Sequence, residues 1–381
     1  MGLLSLGSCQ GMKKVLLFIV VLVAVLISCT NDPEELIAPE PPAPAPVVHD
    51  TSPVVFDMNA VPYPVLSTYH FFDGPMADLA PVADLLPFQP ITPLFTDYAH
   101  KQRLVWMPAG TSGAHYVADE DVLAFPDGAV LIKTFFYDNV LPAGTRRIME
   151  TRIMFKRNGA WESACYKWNA SQTEALLDMA GSINPLDWVD DLGATRHVDY
   201  RIPAAAECHT CHKRNSIDTP IGTKPQNLNS DLAYASGTMN QLAKWSQVGY
   251  LQGGYPSNIA TTVKWDDPTE TLTDRVRAYV DMNCSHCHDE YRHCDYRPMR
   301  FAWDDNDELV NLGVCVPPED LIDPSFNYIV SAGLPGRSML YHRFTSTAED
   351  VRMPLLGRTV VHEEAAALFN QWISTLTPPC N

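Results

Sequence analysis

The strongest constraint on this chain is a short pattern that occurs twice, in which two cysteines are separated by two residues and followed at once by a histidine. The copies are Cys208-His209-Thr210-Cys211-His212 and Cys284-Ser285-His286-Cys287-His288. This spacing is typical of c-type haem attachment. The two thiols form thioether bonds to one haem, and the adjoining histidine becomes an axial ligand of the iron. The sequence therefore predicts two covalently bound haem c groups, held by Cys208, Cys211, His212, Cys284, Cys287 and His288.

Two other uses of paired cysteines fit the sequence less well. A zinc ribbon separates its two cysteine pairs by about 15–20 residues. Here Cys211 and Cys284 are 73 residues apart. A thioredoxin-like dithiol requires a βαβ setting, and the surrounding sequence does not show that pattern. The spacing and setting of the cysteine pairs therefore favour haem attachment.

The second haem module is expected to span residues 269–381. Apolar residues recur at helical spacing in Thr271–Met282, which leads into the second motif, and again in His362–Leu376. Between these predicted helices lies Met353, whose thioether is the expected second axial ligand of this iron. Pro354 stiffens the loop that presents the sulfur, because its φ is fixed. These features resemble a small class I cytochrome c domain.

The first haem module, residues 201–268, has no comparable methionine loop. No Met-Pro pair lies between His212 and Cys284. The second axial ligand of the first iron is therefore left open at this stage. The candidates are an open coordination site or one of the residues His100, His197 and Met239.

Residues 54–200 are predicted to form a β-rich domain. Val130–Tyr137 is an apolar and aromatic run, and Ile148–Lys156 alternates between two faces, as a strand does. Asn158 and Gly159 tolerate the positive φ of a type I′ turn, which predicts a hairpin after Ile148–Lys156. The expected fold class is therefore α+β: an N-terminal β-rich domain followed by two mainly α-helical c-type haem modules.

The N-terminus has the pattern of an export signal. Two lysines precede the apolar run Val15–Ile27, which is 13 residues long and too short to span a bilayer as a helix. The run ends just before Cys29, as in the lipobox of bacterial lipoproteins. Residues 1–28 are thus predicted to be a lipoprotein signal peptide, of which 1–11 is a candidate mis-assigned extension. Cys29 is the predicted lipidation site, and the proline-rich segment 29–53 is a predicted tether.

Charge and the remaining cysteines add two expectations. The formal net charge is −18, which argues against nucleic acid as a partner because phosphate binding requires a basic surface. Four cysteines remain after the haem thiols, Cys9 and Cys29 are set aside, and an exported protein is expected to pair them. Cys294–Cys315 is the favoured disulfide, although four cysteines allow three pairings.

The chain resembles a bacterial family of dihaem c-type cytochromes of the lipoprotein type over Pro62–Leu376. Beside the two haem motifs, the resemblance rests on Leu94-Phe95-Thr96-Asp97-Tyr98, Glu150-Thr151-Arg152, Tyr166-Lys167-Trp168-Asn169, Met353-Pro354-Leu355-Leu356-Gly357-Arg358 and Gln371-Trp372-Ile373. It implies electron transfer on the periplasmic side of a bacterial membrane.

We therefore expect a membrane-tethered electron carrier that exchanges electrons with redox protein partners and does not bind nucleic acid. Two alternatives remain open. One is a dihaem enzyme, for example a peroxidase-like protein, whose first haem is open to a small oxidant. The other is a binding protein whose β-rich domain recognises a partner.

Overall fold

An antiparallel sheet of eight strands forms the centre of the fold in the computed structural model, which describes residues 52–381. The predicted signal peptide, Cys29 and the tether up to residue 51 lie outside the described residues. Along the main path the strands follow the order β1-β2-β4-β5-β6-β7, and β8 joins β4 and β9. The strand bounds are β1 Leu86–Pro87, β2 His100–Trp106, β3 Ala114–His115, β4 Val130–Val140, β5 Thr145–Arg157, β6 Ala160–Trp168, β7 Ala175–Leu177, β8 Ser182–Val189 and β9 Thr195–Ile202.

The predicted hairpin is confirmed at the turn between β5 and β6. Asn158 and Gly159 have φ values of 52° and 79°, as a two-residue hairpin turn of the type I′ class requires. Arg157 pairs with Ala160 directly across the turn, and the register continues to Glu150 opposite Lys167. The turn therefore fixes which residues of β5 and β6 share a face of the sheet.

The two faces of the sheet differ in chemistry. One face is apolar and packs on the N-terminal segment, with Leu104, Ile132, Ile153 and Tyr166 in one buried cluster. The opposite face carries two separate apolar clusters, one around Leu131 and the other containing Phe135, Tyr137 and Cys165. Charged residues lie between these clusters, on the face that packs against the segment following the sheet.

The expected pair of mainly α-helical haem modules is wrong. The protein is mostly β-sheet, and the part of the chain that the structure describes has six short helices and is 18% helical. They are α1 Ala205–His212, α2 Pro225–Leu228, α3 Gln241–Gln247, α4 Leu272–Asn283, α5 Met339–Thr345 and α6 Glu363–Thr375. Three short 3-10 helices cover Leu66–Tyr69, Met76–Asp78 and Pro335–Arg337.

Small hairpins replace helix in the first predicted haem module. They are formed by β10 Lys213–Arg214 with β11 Ile217–Asp218, and by β12 Asp231–Tyr234 with β13 Gly237–Asn240, while β14 Leu251–Gln252 pairs with β3. Glycines at positive φ, such as Gly222 and Gly237, interrupt this region, and glycine is a poor helix former. Turns likewise occupy most of the chain from 284 to 335.

The helices predicted on either side of Met353 are confirmed. α4 and α6 pack together and share a core that includes Val276, Tyr279, Phe369 and Trp372. No helix in residues 52–381 has the length and apolar character needed to cross a membrane.

Candidate functional site

The first Cys-x-x-Cys-His motif forms the end of α1. This helix packs on β6 and on β11, and its Glu207 carboxylate accepts hydrogen bonds from the Ala204 backbone and from Arg201. His212 is the last helical residue. Its Nδ1 lies 2.8 Å from the carbonyl oxygen of Thr219. A carbonyl only accepts, so Nδ1 carries the proton and Nε2 is left with a free lone pair.

Burial keeps the His212 ring neutral near pH 7. Burial, together with the nearby Lys133 ammonium, lowers the pKa of His212 to about 4. A neutral imidazole with Nδ1 fixed on a carbonyl is the form that binds a metal through Nε2. The geometry of His212 therefore suits an axial ligand.

The second motif begins directly after α4. The chain forms a turn that begins at Cys284, whose carbonyl accepts hydrogen bonds from the N–H groups of Cys287 and His288. The His288 ring lies edge-on to Phe301 with 5.7 Å between centroids, and burial lowers its pKa to about 4. His288 Nδ1 is buried and has no hydrogen-bond partner among the described residues.

The two motifs lie against each other. The ligand atoms of Cys211, His286 and Cys287 all lie within 4.8 Å of one another. Cys287 Sγ is also 3.8 Å from the carbonyl oxygen of Thr210, inside the first motif. A hydrogen bond from Cys287 lowers the pKa of the Cys211 thiol and, for the same reason, raises that of Cys287. The structure thus brings together two cysteine pairs that are distant in sequence.

The loop containing Met353 lies beside the second motif. The Met353 N–H donates to the carbonyl of Arg343, and its own carbonyl accepts from the Arg358 guanidinium at 2.8 and 3.0 Å. Arg358 is buried and acts electrostatically on Cys284, whose pKa is raised to about 12 chiefly by burial. Arg343 likewise acts on His288. Two arginines thus connect the Met353 loop with both ends of the second motif.

Residues 94–98 of the β-rich region hold this loop from the other side. Asp97 Oδ1 accepts from the N–H groups of Thr359 and Val360, and Asp97 Oδ2 accepts from the Thr359 hydroxyl. The Phe95 ring stacks on His362 at 4.1 Å. The Leu94–Tyr98 segment, which the sequence singled out as a family feature, therefore holds the chain between the Met353 loop and α6.

The three candidates for the second ligand of the first iron lie elsewhere. His100 is exposed near Asp138, at 4.0 Å. His197 is exposed and lies 2.8 Å from Asp187 and 3.6 Å from Asp199. Met239 is 36% exposed on β13. None of them shares the buried surroundings of His212.

The predicted disulfide between Cys294 and Cys315 is wrong, because Cys315 has a different partner. Cys315 is bonded to Cys380, with 5.2 Å between the Cα atoms, and Cys294 is free. The prediction favoured the shorter loop, but the C-terminal residues return to the segment around Cys315, beside Val330 and Ala332. The number of residues between cysteines does not indicate that the C-terminus folds back to Cys315.

A cluster of basic residues near the first motif was missed. Lys101, Arg103 and Lys133 lie on one face of the sheet, on strands β2 and β4. A signal was present, because Lys133 interrupts the apolar run Val130–Tyr137 at a position where a buried strand carries an apolar residue.

Comparisons with known proteins give no relative for this chain. No family model, no curated protein and no solved structure matches it. The assignment of function therefore depends on the residues themselves.

Proposed function

We propose that the protein is a membrane-tethered dihaem c-type cytochrome that passes electrons between redox proteins. The observation that carries the proposal is the contact between the two Cys-x-x-Cys-His motifs, where Cys211, His286 and Cys287 converge within 4.8 Å. Haem groups linked to motifs in contact would be neighbours, and a short distance favours electron exchange between them. The two motifs then function as one redox unit.

The residues around the motifs fit covalent haem. His212 offers Nε2, because Nδ1 is held by Thr219 at 2.8 Å. Near the second motif, His288 Nδ1 and Arg343 Nε are buried and have no hydrogen-bond partner among residues 52–381. Buried polar atoms are normally paired. A haem propionate would supply an acceptor for Arg343 Nε, whereas the Nδ1 of a His288 ring that ligates iron through Nε2 would not reach the propionates of the same haem.

Bound haem supplies reversible one-electron exchange at the iron. His212 and His288 would each provide one axial nitrogen, and Met353 would provide the opposing sulfur at the second iron. Methionine with histidine raises the reduction potential of a haem. The buried side chains between α4 and α6 exclude water from their shared core. This core would cover one edge of the second haem.

The location and partners belong to the same proposal. Lipidation at Cys29 would anchor the chain on the periplasmic side of a bacterial membrane, and residues 29–53 would hold the redox unit away from the lipid. The net charge of −18 favours basic surfaces on the electron donor or acceptor, because complementary charge speeds encounter.

Mass spectrometry of protein produced in a host that matures c-type cytochromes tests the proposal. We expect two haems on the wild type, and one on either double variant C208S/C211S or C284S/C287S. Cys294→Ser changes a free cysteine outside the motifs and is the control that keeps both haems. Protein without haem overturns the proposal. A single divalent ion, removable by a chelator and lost in His286→Ala, would instead assign Cys211, His286 and Cys287 to a metal–thiolate site.

A dihaem enzyme is the second candidate, and one observation favours it. His100, His197 and Met239 are exposed and lie outside the surroundings of His212, so none of these three candidates is placed to be the second ligand of the first iron. An electron paramagnetic resonance spectrum of the resting protein distinguishes the two functions. Two low-spin irons favour the carrier, whereas high-spin iron that disappears in C208S/C211S favours an enzyme with an open first haem.

A further inference from the structure

Four basic side chains form a band across the sheet, on the face opposite its main apolar core. Arg103 pairs with Lys133, and Lys133 pairs with Arg152, in adjacent strands. Residues directly opposite in a sheet point to the same face. Lys101 lies two residues before Arg103 and therefore points the same way. We call Lys101, Arg103, Lys133 and Arg152 the cationic band.

The members of the band are close together. The nitrogens of Lys101 and Lys133 lie 5.7 and 5.8 Å from the centre of the Phe135 ring, and the Arg152 guanidinium carbon lies 4.6 Å from it. Attraction of a cation to an aromatic ring contributes about 0.5–2 kcal/mol. It does not neutralise charge, so the band still requires anions.

Within residues 52–381, the Glu150 carboxylate lies inside the band and is already used, and the Asp97 carboxylate acts electrostatically on Lys101 from outside it. Glu150 is fully buried and accepts hydrogen bonds from Arg152, from the Cys165 thiol and from the Tyr200 hydroxyl. It forms an ion pair with Arg152 and also acts electrostatically on Lys133, which it does not contact as an ion pair. Lys101 donates to the Ala99 carbonyl. In the described part of the chain, none of Lys101, Arg103 and Lys133 forms an ion pair.

The positive charges of Lys101, Arg103 and Lys133 repel one another because they lie close together and are partly shielded from water. Burial, together with the neighbouring cations, lowers the pKa of Lys133 to about 7 and that of Lys101 well below its ordinary value. Burial alone lowers the pKa of Arg103 to about 10. Arg103 is buried, and Lys101 and Lys133 are half-buried; charge withdrawn from water without a paired anion is costly. An anion bound at the band would remove this cost.

The band faces the first haem motif. α1 and β11 pack on β6, the strand next to Arg152 in the sheet. Lys133 acts electrostatically on Cys211 and His212, and Arg152 acts on Cys208. The band therefore lies within electrostatic range of every haem-binding residue of this motif.

We infer that Lys101, Arg103 and Lys133 form a carboxylate-binding site for the propionates of the haem attached to Cys208 and Cys211. This inference rests on the proposed function. A haem carries two propionate carboxylates, and the thioether bonds hold them at high effective concentration near the band. Two carboxylates against three unpaired cations leave a nearly balanced site. The sheet is thereby part of the first haem pocket.

The first test is a redox titration of fully matured Arg103→Gln and Lys133→Gln. Cations near a haem stabilise its reduced form, so the midpoint potential of one haem falls in both variants while the other stays unchanged. The single-haem protein C208S/C211S identifies the second haem's midpoint, which must be the unchanged one. Arg146→Gln, which alters an exposed arginine paired with Asp138, and Lys244→Gln are the matched controls. Unchanged midpoints in variants that carry both haems overturn the inference, and absence of haem overturns the proposed function instead.

The second test compares thermal unfolding of Lys133→Gln in two backgrounds, and it applies even if the variant matures poorly. With both haems the substitution lowers the melting temperature, because a carboxylate loses its partner. In C208S/C211S it raises the melting temperature, because one of three repelling cations is removed. The same sign in both backgrounds overturns the inference. Succinate is the probe for free carboxylates, and Lys133-dependent stabilisation of the two-haem protein by succinate would assign the band to a soluble anion.

Discussion

The Asp97 carboxylate holds Thr359 through two hydrogen bonds, from the backbone N–H at 2.6 Å and from the hydroxyl at 3.0 Å, across 262 residues of sequence. Asp97 is buried, and its carboxylate also accepts from Val360. The bonds fix the chain just after Arg358, whose guanidinium holds the carbonyl of Met353. Asp97 is thus a positioning residue for the proposed methionine ligand.

Replacing Asp97 should loosen the methionine loop. We expect Asp97→Ala to destabilise the protein by about 1–3 kcal/mol, because buried N–H groups lose their acceptor. The sulfur-to-iron charge-transfer absorption of the second haem should weaken in parallel. Asp97→Asn keeps one acceptor oxygen and should have a smaller effect on both measurements. Asp73→Asn, at an exposed aspartate, is the control. An unchanged absorption band in Asp97→Ala would show that Asp97 does not position Met353.

Met353 itself is tested by changing the ligand type. Met353→His should lower the midpoint potential of one haem, because replacing the thioether with a second imidazole favours oxidised iron. The charge-transfer absorption should disappear in the same variant. Met299→Leu changes another methionine that packs on the core of α4 and α6, and it should leave both signals intact. If Met353→His keeps the absorption, the sulfur ligand lies elsewhere.

His362 predicts how stability depends on pH. Burial lowers its pKa to about 4, whereas an unfolded histidine titrates near 6.5. The unfolded state therefore binds more protons between these values, so the free energy of unfolding decreases as pH falls from about 6.5 to 4, by up to about 1.4 kcal/mol per pH unit from this residue.

Denaturant unfolding at several pH values measures this effect. The slope between pH 4 and 6.5 should be shallower in His362→Gln than in the wild type. His70→Gln, at an exposed histidine, should keep the wild-type slope. Equal slopes in His362→Gln and the wild type would mean that His362 is not the residue responsible.

The disulfide gives a further prediction. Cys315 and Cys380 close a loop of 65 residues, and a crosslink of this length stabilises a protein by about 2–4 kcal/mol. Cys380→Ser should therefore lower the free energy of unfolding by an amount in this range. Cys294→Ser should change it little. Peptide mapping without reduction should recover the Cys315–Cys380 pair, and recovery of Cys294 bonded to Cys315 would contradict the structure.

Two local patterns in the sequence predicted the local structure correctly. The β5–β6 hairpin follows from Asn158 and Gly159, because few residues tolerate positive φ. The amphipathic spacing in α4 and α6 reports which side of each helix is buried. Both features depend on residues that are close in sequence, so a local pattern is enough to predict them.

Long-range relationships were not predictable in the same way. The partner of Cys315, the contact of Cys211 with Cys287 and the bonds from Asp97 to Thr359 each depend on how distant segments pack. The helical content of residues 201–381 was overestimated, because a Cys-x-x-Cys-His motif requires only one helical turn. Glycines at positive φ, such as Gly222 and Gly237, favour hairpins and turns over the remainder of the first module.

The stacking of Phe95 on His362 has a consequence for how such a protein can be divided. His362 immediately precedes α6, and its nearest aromatic neighbour comes from the other end of the described chain. A fragment that begins at residue 269 would expose one side of this imidazole to water. A chimaera that takes residues 269–381 from this chain would therefore have to include residues 94–98 as well.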